Sequence, residues 1–476
     1  MRVLEKDLVS TESPIPSHPY SKELQKHLSG RSLLIEEIPF EQELVKEHLN
    51  HGMVAATAGV IQEKYGVRCL RCGNEKQAMF YSFPCARCGK SCTYCRSCIM
   101  LGRVSQCSRL YTWTGPEAVF DIPMNVMVWN GKLSAGQQTA SDAVVQAVVA
   151  DSELLVWAVC GSGKTEVLFK GIEAALFQDK RICIATPRTD VVLELTPRLK
   201  QAFPHIPVAS LFGGSEDRHL FAPLTISTTH QLFRFQNAFD VIIIDEVDAF
   251  PYSMDTSLQY AVQKAKKKTS TTIYLTATPS KSMQNLYKSA KLAGVTIPAR
   301  FHRHSIPVPQ LKWCGNWEKQ FKKKTIPPMV REWMKKRLEH EIPFLLFFPS
   351  IKIMESVLPL FRQLQSELQV VHSEDPERKE KVMVLREGKV PGLLTTTILE
   401  RGVTIPKLDV AVIGSEHSIF SESALVQIAG RVGRNAAKPT GDVMFFHYGK
   451  SIEMIKAVSH IEGMNREARN RGLIDD

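Results

Sequence analysis

Long apolar runs are missing from this chain. Phe344-Leu-Leu-Phe-Phe348 is strand-length, and nothing approaches the roughly 18 consecutive apolar residues that span a bilayer. The opening Met1-Arg-Val-Leu-Glu-Lys-Asp7 lacks the apolar segment of a secretory signal. These absences predict a cytoplasmic protein that meets a membrane only peripherally, at its inner face, through partners. Acidic residues are also in deficit, with 49 Asp and Glu against 60 Lys and Arg, a net charge of +11. Such an excess suits a polyanionic partner without requiring one. Cysteine is scarce outside one stretch, since eight of the eleven fall between Cys69 and Cys107. A reducing compartment argues against disulfides as the reason for that clustering and leaves metal ligation or plain core packing, of which the repeated spacing favours metal.

At 476 residues the chain exceeds one ordinary core, and two to four domains are expected. An apolar content of 44% and a charged content of 23% describe a globular protein. Residues 1–65 carry no evident chemistry: a polar lead with Thr11-Glu-Ser-Pro-Ile-Pro-Ser-His-Pro19, then one helix from Phe40 onward, form an accessory segment. Residues 66–112 hold the cysteines, as Cys69-Leu-Arg-Cys72-Gly, Cys85-Ala-Arg-Cys88-Gly, Cys92-Thr-Tyr-Cys95-Arg-Ser-Cys98 and Cys107. Each C-x-x-C puts two thiolates on one tight turn, and two turns close a tetrahedral Zn²⁺ site. Eight thiols suffice for one site or for two, and the spacing alone leaves the pairing open. No open coordination position is implied, so the expected role is structural. Arg68, Arg71, Arg87, Arg96 and Arg103, with Tyr94, Tyr111 and Trp113, suit either nucleic-acid contact or a solvated basic face.

The rest of the chain is organised around Leu154-Leu-Val-Trp-Ala-Val-Cys-Gly161-Ser162-Gly163-Lys164-Thr165. A buried-strand run breaks into a Gly-rich loop, and a helix-compatible segment follows, the order that a phosphate cradle needs. Glycines let the backbone wrap an anion, and the N–H groups at the helix start point at it. Lys164 is expected at the β- and γ-phosphates and the Thr165 hydroxyl on Mg²⁺. The chain is therefore expected to bind a nucleoside triphosphate. Upstream, Gln137 opens a helical pattern, where its amide suits an adenine edge.

Strand-like segments recur between helical ones at 181–186, 223–228, 240–245 and 271–276, which predicts a parallel sheet with helices on both faces in a lobe over 113–301. Asp245-Glu246-Val-Asp248 ends one such strand, with Asp245 placed to hold Mg²⁺ and Glu246 to polarise the attacking water. Thr276-Ala-Thr278 ends the next, and its hydroxyls suit a relay between the nucleotide and a nucleic-acid groove. Thr186-Pro-Arg188 and Ser227-Thr-Thr-His230 suit phosphodiester oxygens. The runs Lys264–Lys268 and Lys322–Lys324 read as solvated faces.

His302-Arg-His-Ser-Ile-Pro-Val-Pro309 reads as a linker. Strands restart at 343–348, 392–396, 409–414 and 442–447, giving a second parallel lobe over 302–476 with no phosphate loop of its own. Its chemistry lies in Thr395–Val403, which includes Arg401, and in Gln427-Ile-Ala-Gly-Arg431-Val-Gly-Arg434. Three apart, Arg431 and Arg434 would share a face of one helix and act as fingers on the γ-phosphate when the cleft closes.

GSGKT, TPR, DEVD, TAT and QIAGRVGR, in this order over roughly 130–450, resemble the superfamily 2 helicases and translocases of the DEAD/DEAH type. The resemblance implies two RecA-like lobes with ATP between them and single-stranded nucleic acid across their tops. With the cysteine stretch in front, the chain resembles the ComFA family of late competence ATPases, which drive imported single-stranded DNA into the cytosol. CLRCG and YCRSCIMLGRV resemble that family's zinc element, which implies Cys69, Cys72, Cys95 and Cys98 as the first set of ligands. Cys85, Cys88, Cys92 and Cys107 remain for a second. The resemblance further implies a ComFC-like phosphoribosyltransferase-fold partner and the membrane DNA-uptake channel. A primosomal replication-restart helicase shares the GSGKTE loop, but its cysteines lie within the helicase core. A nucleic-acid-binding scaffold with a weak ATPase is the remaining alternative.

Overall fold

The structure is a computed structural model that describes residues 19–64, 66–400 and 405–475. Most of the Pro-rich lead and the stretch from Arg401 to Val403 lie outside the described residues.

Six short strands build the N-terminal unit: β1 (Val54–Ala58), β2 (Val60–Glu63), β3 (Gly66–Cys69), β4 (Phe80–Pro84), β5 (Ser91–Cys95) and β6 (Arg109–Trp113). β2–β3 and β4–β5 are antiparallel pairs, and β1 pairs with β6 across more than fifty residues of sequence. The segment before the cysteines and the strand after them therefore belong to one small sheet. Leu24, Leu28, Leu33, Ile38, Val45 and Val54 form its own apolar cluster.

Lobe 1 is a seven-stranded parallel sheet of β7 (Glu153–Ala158), β8 (Ile182–Thr186), β9 (Val208–Leu211), β10 (Leu224–Thr228), β11 (Phe239–Asp245), β12 (Lys266–Thr276) and β13 (Ala293–Ile297). Their order is β13-β7-β12-β11-β8-β10-β9. Ile182–Thr186 is buried throughout, as a parallel strand covered by helices on both faces must be. Lobe 2 repeats the plan with β14 (Gln310–Trp313), β15 (Phe344–Phe347), β16 (Gln369–Val371), β17 (Gly392–Thr395), β18 (Asp409–Ile413) and β19 (Val443–His447), ordered β14-β19-β18-β15-β17-β16. Each lobe has its own apolar core. The expected α/β class, with two parallel lobes behind a small cysteine-bearing unit, is what the chain forms.

The linker is held in place, because Ile306 N–H donates to Asn465 Oδ1 at 2.9 Å and Asn465 Nδ2 donates back to Ile306 O at 2.8 Å. Asn465 sits on the helix Ile452–Asn470, which also reaches lobe 1, since Arg471 just beyond it donates to Thr296 O at 3.1 Å.

The lysine run 264–268 departs from the expected solvated face. Lys264 Nζ donates to Arg71 O at 2.9 Å and Phe233 O at 2.8 Å, and burial, aided by Arg71, lowers its pKa to about 8. Lys267 pairs with Asp240 at 3.1 Å. The run joins the helix Thr256–Ala265 to β12, where Lys264, Lys266 and Lys267 meet carbonyls and carboxylates, while Lys268 is exposed as expected. Lys322–Lys324 is exposed, as expected.

Candidate active site and metal centres

Gly161 and Gly163 adopt φ of +81° and +70°, the left-handed region that lets the chain double back after β7. The helix Lys164–Leu176 then starts with no side-chain cap, leaving its first-turn N–H groups to an anion. Ser162 and Thr165 are buried, and Lys164 is half-buried at the lip. Glu166, one turn in, takes a hydrogen bond from Arg198. An uncapped helix start behind two positive-φ glycines fits a triphosphate.

Gln137 is placed differently from the expectation of an adenine reader. It is 2% exposed, its Oε1 accepts from Ser134 N–H at 2.8 Å, and its Nε2 donates to Ser162 O at 2.8 Å. Both ends of the amide are spent on capping its own helix and bracing the phosphate loop.

Asp245 ends β11, and Glu246 follows at φ +58° with its N–H on Leu275 O at 2.9 Å. The strand ends of lobe 1 thus bring Lys164, Thr165, Asp245 and Glu246 to one rim, where ligands of open parallel sheets bind. Asp248 organises the next layer. Its Oδ1 accepts from Thr276 Oγ1, and its Oδ2 from Thr278 Oγ1 and Ser423 Oγ, each at 2.6 Å. Ser423 belongs to lobe 2, so the two threonines and this serine join the lobes around one carboxylate. Of the residues around Asp248, Ser423 was not marked by the sequence: in Ser421-Glu-Ser423 either hydroxyl can cap a helix, and Ser421 does so, which releases Ser423.

Arg431 and Arg434 do not share a helix face. The helix Glu422–Ala429 stops before them, and both lie on the turn that follows, with Gly433 at φ +69° between them. Gly430 is the C-cap of the helix and lies against the phosphate loop, where a Cβ would lie 2.6 Å from Cys160 Cβ. Arg431 is 2% exposed and donates to Glu400 O at 3.0 Å, and Arg434 donates to Gly430 O at 2.9 Å. Burial, reinforced by Arg434, pushes the Arg431 guanidinium well below its usual pKa. From the same helix Gln427 Oε1 accepts from Cys160 Sγ at 2.9 Å. Arg188 reaches the other way, donating to Ile398 O of lobe 2 at 3.3 Å and to Asp190 at 2.7 Å. The lobes are closed on each other around the loop.

The cysteines gather into two quartets, Cys69/Cys72/Cys95/Cys98 and Cys85/Cys88/Cys92/Cys107, and within each the four Sγ atoms lie within 4.8 Å of one another. Tetrahedral Zn²⁺ with bonds of about 2.3 Å sets sulfurs about 3.8 Å apart. The spacings fit, at 3.8 Å for Cys69–Cys98, 3.6 Å for Cys72–Cys95 and 3.7 Å for Cys85–Cys107. Mutual hydrogen bonds drive the Cys69 and Cys95 thiols toward ionisation and hold the protons on Cys72 and Cys98. The inner quartet is buried against the apolar cluster containing Phe239, Ile242 and Leu258 of lobe 1. The outer quartet is less covered, and the Cys88 N–H lowers the Cys85 thiol to about 7. Among the interleaved arginines, Arg71 is buried on Glu37 at 2.9 Å, and Arg103 lies 4.6 Å over Phe83 beside the Tyr81–Tyr94 pair.

Two closed lobes, a phosphate loop on one and an arginine turn on the other, define a helicase-type ATPase of superfamily 2. Family models agree: "Type III restriction enzyme, res subunit" matches residues 130–281 and "Helicase conserved C-terminal domain" matches 328–436. Yeast Dbp5 bound to RNA and ADP BeF3 shares the fold, with a TM-score of 0.51 at 15% identity over 70% of this chain and 92% of that one. "Competence protein ComFA N-terminal domain" matches residues 12–112, which span the N-terminal sheet and both cysteine quartets. Competence protein ComFA of Bacillus subtilis (strain 168) is 49% identical over 94% of this chain and 96% of its own, and that of Streptococcus pneumoniae 37% over 79% and 86%. The chain belongs to the ComFA family. It is a competence-related, ATP-hydrolysing helicase-like enzyme that binds nucleic acid. No helix among the described residues is long and apolar enough to cross a membrane.

Proposed function

We propose that this chain is a translocase that spends ATP to move single-stranded DNA into the cytosol during competence. One observation carries the reading: the phosphate loop of lobe 1 and the arginine turn of lobe 2 meet at Cys160–Gln427 and Cys160–Gly430, so the site is complete only when the lobes close. Lobe 1 over 113–301 holds the triphosphate with Gly161, Ser162, Gly163 and Lys164, braced by Gln137. Thr165 and Asp245 would hold Mg²⁺, whose charge offsets that of the phosphates. Glu246 orients and deprotonates the attacking water, and Arg431 and Arg434 of lobe 2, over 302–476, neutralise charge on the transferred phosphoryl group.

Closure around ATP and reopening after hydrolysis then step the lobes along a strand lying across the carboxyl ends of their sheets. The Asp248–Ser423 hydrogen bond, 2.6 Å across the cleft, breaks and re-forms in each cycle. The unit over 66–112 holds two structural Zn²⁺ ions, one in each quartet. On the family's pattern, a ComFC-like phosphoribosyltransferase-fold protein and the membrane DNA-uptake channel are its partners, and it works at the inner face of the membrane.

The deciding experiment compares ATPase rates with single-stranded DNA, duplex DNA and RNA. Stimulation by single-stranded DNA well above the other two is expected. Equal rates with and without DNA would overturn the translocase reading.

A further inference from the structure

Arg300 lies three residues beyond the end of β13, where lobe 1 hands the chain to the linker. It is 1% exposed and donates three hydrogen bonds, all to backbone carbonyls. Nε meets Cys160 O at 3.2 Å, Nη1 meets Val432 O at 2.7 Å, and Nη2 meets Gly430 O at 3.1 Å. The first acceptor belongs to the phosphate loop, and the other two belong to the turn that carries Arg431 and Arg434. His302 adds a contact from its Nε2 to Gly433 O at 2.9 Å. Burial, with Arg434 nearby, lowers the Arg300 guanidinium to about 10, so it stays charged at neutral pH.

A buried charge met by carbonyls alone is an expensive tie for a protein that needed only to hold its lobes together. Its partners explain it. The turn has no slack of its own, because a Cβ on Gly433 would lie 2.0 Å from Pro439 O and 3.0 Å from Arg300 Nη1. The planar fork of a guanidinium fixes distance and orientation together, which a lysine ammonium cannot do. Two of the three acceptors belong to lobe 2, so in this closed arrangement Arg300 joins the lobes.

We infer that Arg300 is a positioning residue for ATP hydrolysis: it docks the arginine turn onto the phosphate loop at closure and so aims Arg431 and Arg434 at the triphosphate. Binding of ATP by lobe 1 alone does not need it. Its effect belongs to kcat rather than to KM. This inference rests on the proposed role of Arg431 and Arg434.

The test is steady-state ATPase of the full, zinc-loaded chain with single-stranded DNA, for Arg300→Ala, Arg300→Lys, Arg434→Ala and the double variant Arg300→Ala/Arg434→Ala. Arg300→Ala should lower kcat about tenfold or more while KM for ATP stays within about twofold, and Arg300→Lys should restore little of the loss. The double variant should lose less than the two single losses combined, since Arg300 acts in part through Arg434. Unchanged kcat in Arg300→Ala, full rescue by lysine, or additive losses in the double variant would overturn the inference. Failure of Arg300→Lys to fold would also overturn it, leaving only a structural tie. If Arg434→Ala itself turns over normally, the finger assignment fails first, and the two failures are told apart.

Discussion

Lys164 stands where a side chain can touch phosphate without holding the loop together, since it is half-buried and the loop is braced by Gln137 and Arg300. Lys164→Ala should therefore abolish hydrolysis, by roughly a hundredfold or more, and leave nucleic-acid binding intact in a filter or anisotropy assay. Gly433 is the opposite kind of residue. Alanine there would adopt φ +69° at a cost of about 1–2 kcal/mol and would meet Pro439 O at 2.0 Å. Gly433→Ala should lose most of its ATPase while zinc content stays at the wild-type value, and normal turnover would show that the turn tolerates displacement. Of these residues, the loop, the acidic pair and the two arginines were legible from their spacing. Gln137 was legible as a site residue, but its partner was not, because an amide at a helix start serves its own cap as readily as a base. Arg300 left no mark in the sequence: a lone arginine before a Pro-rich linker gives no hint of three carbonyls waiting from two lobes.

At the scale of elements, the two cysteine quartets differ in what surrounds them. Cys69, Cys72, Cys95 and Cys98 are packed on Phe239 and Leu258, whereas Cys88 and Cys107 are only partly covered. Metal analysis by mass spectrometry should find two zinc ions per chain. Cys107→Ser should lose one and shift the melting temperature modestly. Cys98→Ser should lose the other and destabilise the fold by several kcal/mol, since structural zinc contributes directly to folding. A single zinc in the wild type would remove the outer site. The strands expected from the sequence are the central ones, with Ile242–Ile244 and Leu345–Phe347 buried and apolar throughout. Within the two lobes, those it did not show, β9, β13, β14 and β16, are three to five residues long and all lie at sheet edges, and the short strands β1–β6 of the N-terminal unit were not expected either. Short edge strands bury less and carry a weaker pattern. The expected finger helix failed for another reason: the helix is capped at Gly430 and the chain turns through Gly433 at φ +69°, which the three-residue spacing of the arginines does not report.

For the molecule as a whole, acid should loosen the N-terminal unit first. His27 is buried beside Arg31 and stacked 5.3 Å from His219, and burial first, then these neighbours, lower its pKa from 6.5 to about 4. A weak opposing influence comes from a hydrogen bond at the Glu37 backbone. The folded form keeps the ring neutral, so between pH 6.5 and about 4 the unfolded chain binds more protons and stability falls as the pH drops. Melting temperature against pH should flatten over that window in His27→Gln. An unchanged slope would assign the acid sensitivity elsewhere.

The knuckle of the inner quartet seats Gly73 on the Tyr260 ring, where a Cβ would come within 2.6 Å, and Lys264 of the same helix grips Arg71 O at 2.9 Å. That joint ties the N-terminal unit to lobe 1. On the proposed stepping, whatever the tip of the β4–β5 hairpin touches would keep a constant offset from lobe 1, and lobe 2 would be the arm that moves.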